Sequence, residues 1–138
     1  MQLSFFVAGN PVPKGSFRAF NNGGRPVITN NNPKTKDWEM RIAHEAQAVI
    51  DENWISTAIS LPVCVTIDFY MERPKSLKKS VEHNIKRPDL DKLARAALDG
   101  ITGILINDDS QVVELKATKN YAGEKESRPG AWLTIETL

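Results

Sequence analysis

The sequence predicts an α+β fold, a small mixed β-sheet packed with two main helices, in a single domain spanning residues 1–138. Three observations predict it. Residues 61–71, LPVCVTIDFYM, alternate with the period of two that a half-buried strand requires. Residues 90–101 carry one apolar stripe at helical spacing. Elements of both kinds succeed one another along a 138-residue chain, a length that suits one hydrophobic core.

In order, QLSFFVA at 2–8 places Leu3, Phe5 and Val7 on one side of a strand. The following stretch, through Pro33, is rich in Gly, Pro and Asn, the residues of turns. It has room for a short hairpin, FRAF and RPVIT around Asn21-Asn22-Gly23-Gly24. Between Lys14 and Arg41 lie the basic residues Lys14, Arg18, Arg25, Lys34, Lys36 and Arg41 against only Asp37 and Glu39, so this region is locally positive. From Pro33 to about Glu52 the spacing of Trp38, Ile42, Ala46 and Val49 predicts a helix, Pro33 suiting its first turn. In the strand at 61–71, Val63, Val65, Ile67 and Phe69 face one way and Cys64, Thr66, Asp68 and Tyr70 the other.

Residues 72–88 are polar and mostly basic: Arg73, Lys75, Lys78, Lys79, Lys86 and Arg87 oppose Glu72 and Glu82. On composition alone such a run is as readily a solvated loop as a binding surface. Next, Leu90, Leu93, Ala94, Ala97, Leu98 and Ile101 form the stripe of the second helix, which Gly100 and Gly103 close. Strands at about 111–120 and 131–137 complete a sheet of four or five. No internal repeat interrupts this order.

Composition narrows the function. Hydrophobic residues make up 41% and charged residues 25%, and the net charge is +1, which argues against a protein that coats nucleic acid through bulk charge. The single cysteine, Cys64, excludes an intrachain disulfide framework and a cysteine-based zinc site, and points to a reducing compartment. No apolar run approaches the ~18 residues of a membrane span, and MQLSFFVAGNP lacks the basic start of a signal peptide. A cytoplasmic protein with no membrane partner is expected.

The chemistry concentrates between Lys86 and Val113, where Asp89, Asp91, Asp99, Asp108 and Asp109 bracket the second helix. Residues i and i+2 of a helix point about 200° apart and cannot share an ion. Asp89, however, sits between Pro88 and the helix start, where an extended conformation lets it approach Asp91. Two carboxylates so placed form one wall of an oxygen-ligand site suited to Mg²⁺ or Mn²⁺. Each residue also has an ordinary alternative. Asp89 fits an N-cap, Asn107-Asp108-Asp109 fits a turn, and Asp91 with Arg95 fits an i,i+4 ion pair. His44 falls in a helix and His83 in the basic loop, and neither belongs to a Ser-His-Asp or Cys-His arrangement. Neither Walker A nor dinucleotide glycines are present.

RPDLDKLARAALDGITG followed by INDDSQVVELKATK closely resembles the RusA-type Holliday junction resolvases, commonly encoded by phages and prophages. PVPKGSFRAF, PKTKDWE and PVCVTIDFYMERPKS fit the same pattern, so the resemblance covers nearly the whole chain. It implies a RusA-like fold and a homodimeric, Mg²⁺-dependent endonuclease, Mn²⁺ substituting, that cuts four-way or branched DNA symmetrically and leaves 5′ phosphate and 3′ hydroxyl ends. By the same resemblance Asp89 and Asp91 match the D-x-D metal ligands, Asp109 the third essential carboxylate, and Asp108 a structural neighbour. Lys119 matches the basic residue near the end of the following strand.

Two positions depart from the pattern: Lys92 stands where the family has Asn, and Arg95 where it has its catalytic Lys. Arginine keeps the charge and grips phosphate through two hydrogen bonds but does not readily lose a proton, so Arg95 is read as a charge-stabilising catalytic residue. Lys14, Arg18, Lys75, Lys86 and Arg87, with Lys92 and Lys119, are read as DNA-binding residues that supply affinity through the backbone rather than sequence choice. The rival readings are a junction- or duplex-binding protein whose chemistry has been lost, and a small-substrate metal phosphohydrolase. The host process is recombination and repair or the processing of branched phage DNA.

Overall fold

The alternating segments become paired strands in the computed structural model, which describes residues 1–15, 17–30 and 33–138, with 17–22 and 25–30 described through their backbone alone. In chain order they are β1 (Gln2–Ala8), β2 (Phe17–Asn22), β3 (Arg25–Asn30), α1 (Lys34–Glu52), β4 (Val63–Met71), α2 (Leu90–Ile101), β5 (Val112–Tyr121) and β6 (Gly130–Thr137). A four-stranded sheet has the order β1-β6-β4-β5, and β2 and β3 pair separately as the expected hairpin. Asn22 pairs with Arg25 across Gly23 and Gly24, whose φ values of 61° and 84° glycine adopts without steric cost.

The sheet is mixed, as expected. β6 is antiparallel to both β1 and β4, while β5 runs parallel to β4. A parallel pair needs a crossover connection, and α2 lies within it. Leu3, Phe5 and Val7 of β1, Val63, Val65, Ile67 and Phe69 of β4, and Leu133 and Ile135 of β6 are all buried in one core. Trp38, Ile42, Ala46 and Val49 of α1 join it, as do Leu93, Ala96, Ala97 and Ile101 of α2. Each aliphatic side chain fully removed from water there contributes about 1.5–3 kcal/mol.

The two helices touch most closely at Gly100. A β-carbon at that position would come 2.8 Å from Cβ and Cγ2 of Ile42. Glycine therefore allows α2 to lie against α1, which fixes the direction in which the start of α2 points. Pro33 caps α1 rather than entering its first turn. The last strand before the C-terminus begins one residue earlier than expected, and β5 starts at Val112 because Asp109–Gln111 form a short 3-10 turn.

Candidate active site

The start of α2 is built by an unusual capping residue. Asp89 occupies the N-cap position and holds the extended conformation of such a residue (φ −71°, ψ 139°). Its carboxylate, however, accepts no capping hydrogen bond from the helix. The ordinary reading of Asp89 as a cap that satisfies free N–H groups is therefore not what the side chain does. The carboxylate is exposed and lies 3.7 Å from the Lys92 ammonium, one turn on. Asp91, in the first turn, is also exposed, and no ion pair joins it to Arg95. Arg95 is exposed and makes no hydrogen bond or ion pair among the described residues.

Beside this helix start opens a cleft of about 540 Å³, lined by Asn10, Lys14, Lys34, Arg87, Asp89 and Lys92 together with the prolines around them. The wall opposite α2 is held by main chain: Lys14 N–H donates to the Lys92 carbonyl at 2.9 Å, and Thr35 Oγ1 donates to Pro13 O at 2.7 Å. The Lys14 ammonium binds Glu39 of α1 and Asp99 of α2, each at 2.9 Å. Hydrogen bonding to Asp99, then to Glu39, raises its pKa above the ordinary 10.5 despite partial burial. Lys14 thus ties the loop to both helices, a role its sequence context did not announce.

Lys119 is likewise engaged. Its ammonium donates to the carbonyl oxygens of Lys86 at 2.5 Å and Pro88 at 2.9 Å, the residues just before Asp89. The Arg87–Pro88 peptide is cis. Lys75, Lys86 and Arg87 are exposed. The Arg18 side chain lies outside the described residues. Lys34 and Asn10, which line the cleft, were not singled out from sequence. The signal for Lys34 was the basic excess between Lys14 and Arg41.

A second acidic locus lies beyond the other end of α2. Asp108 caps the 3-10 turn by accepting from Ser110 N–H at 3.1 Å, while Gln111 Oε1 accepts from Asp108 N–H at 2.8 Å. Asp108 thus closes a capping box with Gln111, and the Asp-x-x-Gln spacing was its legible signal. Backbone hydrogen bonding from Ser110 holds its carboxyl below the ordinary range. Asp109 is raised, first by its hydrogen bond with Asp108, then by desolvation and by the negative charges of Asp108 and Asp99. Asp99 thus belongs to the surroundings of Asp109. Asp99 stands in the last turn of α2, a helix of 12 residues, whereas Asp89 and Asp91 stand at its start. Among the described residues no group of three His, Cys, Asp or Glu side chains is placed to hold one metal ion.

An exposed acidic helix start thus borders a cleft lined by Lys14, Lys34, Arg87 and Lys92. The comparisons give the family. The family described as "Endodeoxyribonuclease RusA" matches residues 8–131, nearly the whole chain, and the chain belongs to it. It is also 29% identical over 132 residues to "Uncharacterized protein YqaN" of Bacillus subtilis (strain 168), an alignment covering 88% of this chain and 89% of that protein. Family membership supports an endodeoxyribonuclease activity on branched DNA. No helix is long and apolar enough to cross a membrane.

Proposed function

We propose that residues 1–138 work as one divalent-metal-dependent endodeoxyribonuclease domain that resolves four-way DNA junctions by paired, symmetric cuts. The observation that carries this reading is Asp89: a residue in the N-cap position, two before Asp91, whose carboxylate leaves the helix uncapped and lines a basic cleft. The donor set fits Mg²⁺ or Mn²⁺, which take hard oxygen ligands and are commonly held by one or two carboxylates completed by water and substrate phosphate. An ion held there by Asp89 and Asp91 would supply activation of the attacking water and charge neutralisation at the leaving 3′ oxygen.

The chain's own residues do the rest. Asp89 and Asp91 supply the oxygen ligands at the positive end of α2. Arg95, one turn beyond Asp91, donates to the non-bridging oxygens of the scissile phosphate as charge builds on them. Arg87, Lys86 and Lys75 hold the backbone on either side. Asp109 lies near Asp99, in the last turn of α2, and within one chain would not join Asp89 and Asp91 in holding one ion. A two-fold pair of chains, which a substrate nicked on two strands calls for, supplies the third carboxylate from the second copy.

The test is cutting of a synthetic four-way junction by the purified chain with Mg²⁺ or Mn²⁺, the nicks mapped on all strands. Symmetric nicks that disappear with chelator support the reading. A protein that binds the junction and never cuts it with either ion overturns the nuclease and leaves a junction-binding protein.

A further inference from the structure

The sheet ends on β5, and its outer edge is open. No main-chain hydrogen bond from residues 113–120 goes beyond the β4–β5 pair among the described residues. An open edge of ten residues is a template for another strand. Its side chains are also unusually apolar for a surface: Val113 is 63% and Leu115 45% exposed. Leu115 lies in register beside Val65, which is fully buried, yet Leu115 itself is left half-exposed at the edge of the core face.

The charges on the opposite face say what fits the edge. Glu114 and Lys116 flank Leu115 and pair with each other at 3.3 Å. The segment Glu114-Leu115-Lys116 is self-complementary under antiparallel pairing. A two-fold axis at Leu115 sets Glu114 opposite Lys116 of the second copy, and Lys116 opposite Glu114 of the second copy. The same axis sets the two Leu115 side chains against each other. Opposite charges directly across an antiparallel pair stabilise it, and like charges destabilise it.

We infer that β5 is a homodimerisation edge, on which two copies of this chain join their sheets by antiparallel pairing centred on Leu115. The pairing gives the uncovered apolar strip a partner and closes the open edge of both sheets. It deepens the proposed function by naming the surface that couples two nuclease sites, and rests on that reading only for the purpose of the pairing.

The test is the oligomeric state of the full chain, without DNA, by sedimentation velocity over a concentration series. Wild type, Glu114→Lys, Lys116→Glu, the double exchange and Leu115→Asp are compared, with circular dichroism confirming that each is folded. The wild type is expected to be a dimer. Each single reversal creates two like-charge pairs and weakens it roughly tenfold or more, and the double exchange returns it to within about threefold. Leu115→Asp is expected to be a folded monomer. A monomeric wild type, a dimer indifferent to both reversals, or a double exchange that fails to restore association overturns the inference. The two readings fail separately. A β5 dimer that cuts no junction contradicts the nuclease alone, and a monomer that cuts junctions contradicts this surface alone.

Discussion

The Lys119 ammonium lies 2.9 Å from the Pro88 carbonyl oxygen and 2.5 Å from that of Lys86, so β5 is tied to the turn that delivers Asp89. A hydrogen bond from a charged donor contributes about 1.5–3 kcal/mol. Lys119→Met is expected to destabilise the fold by an amount at the lower end of that range. It should also lower junction cleavage more than junction binding, because the turn before Asp89 loses its brace. Urea denaturation alongside cleavage and gel-shift assays checks both.

Lys14 provides the pH-dependent counterpart. Its pKa is raised in the folded chain, chiefly by Asp99, so the stabilisation is complete below the ordinary value of 10.5 and is lost as pH rises through the folded value. Lys14→Met should lower Tm by roughly 3–6 °C near neutrality, the equivalent of about 1 kcal/mol. The gap between variant and wild type should close only in alkaline buffer, above that ordinary value. A Tm difference that instead closes on acidification from neutrality to weakly acidic pH would assign the effect to another group.

Gly100 is kept for contact, not for backbone freedom. Alanine is the better helix former by about 1 kcal/mol, yet its β-carbon would meet Ile42 at 2.8 Å. Gly100→Ala is expected to destabilise by a net ~1–3 kcal/mol, since one helix must move from the other. A shift of the urea midpoint to lower concentration at unchanged slope is the signature, and a more stable variant would show that the contact is slack.

Arg95 separates charge stabilisation from proton transfer. It is exposed and makes no hydrogen bond or ion pair among the described residues, so Arg95→Ala should leave stability within about 0.5 kcal/mol. The same change is expected to lower cleavage roughly 100-fold if the guanidinium meets the phosphoryl oxygens. Arg95→Lys should stay within about tenfold of wild type, because it keeps the charge and loses the fork. A large gain on Arg95→Lys would show that proton transfer is what this position supplies.

Much of this architecture was legible in the sequence. The 3.6 period of Leu93, Ala97 and Ile101 and the alternation of Val63, Val65, Ile67 and Phe69 report directly on which side meets the core. Element ends near capping residues and turns also followed from local chemistry, as at Asp89 and Gly23-Gly24. The roles of Lys14, Asp99 and Lys119 were not legible, because each is defined by a partner far along the chain: Glu39 and Asp99 for Lys14, Pro88 for Lys119. A basic residue in a loop looks the same whether it meets DNA or a carbonyl.

The proposed nuclease centre is built on Asp89. Asp89→Asn keeps size and hydrogen bonding while removing the charge that an ion requires, and the residue makes no capping bond whose loss would unfold α2. The decisive measurement is junction binding and Mg²⁺-dependent cleavage by this variant, side by side with wild type. A loss of cleavage by roughly 100-fold or more with binding held within about threefold is the expected result. Cleavage at the wild-type rate would contradict the account.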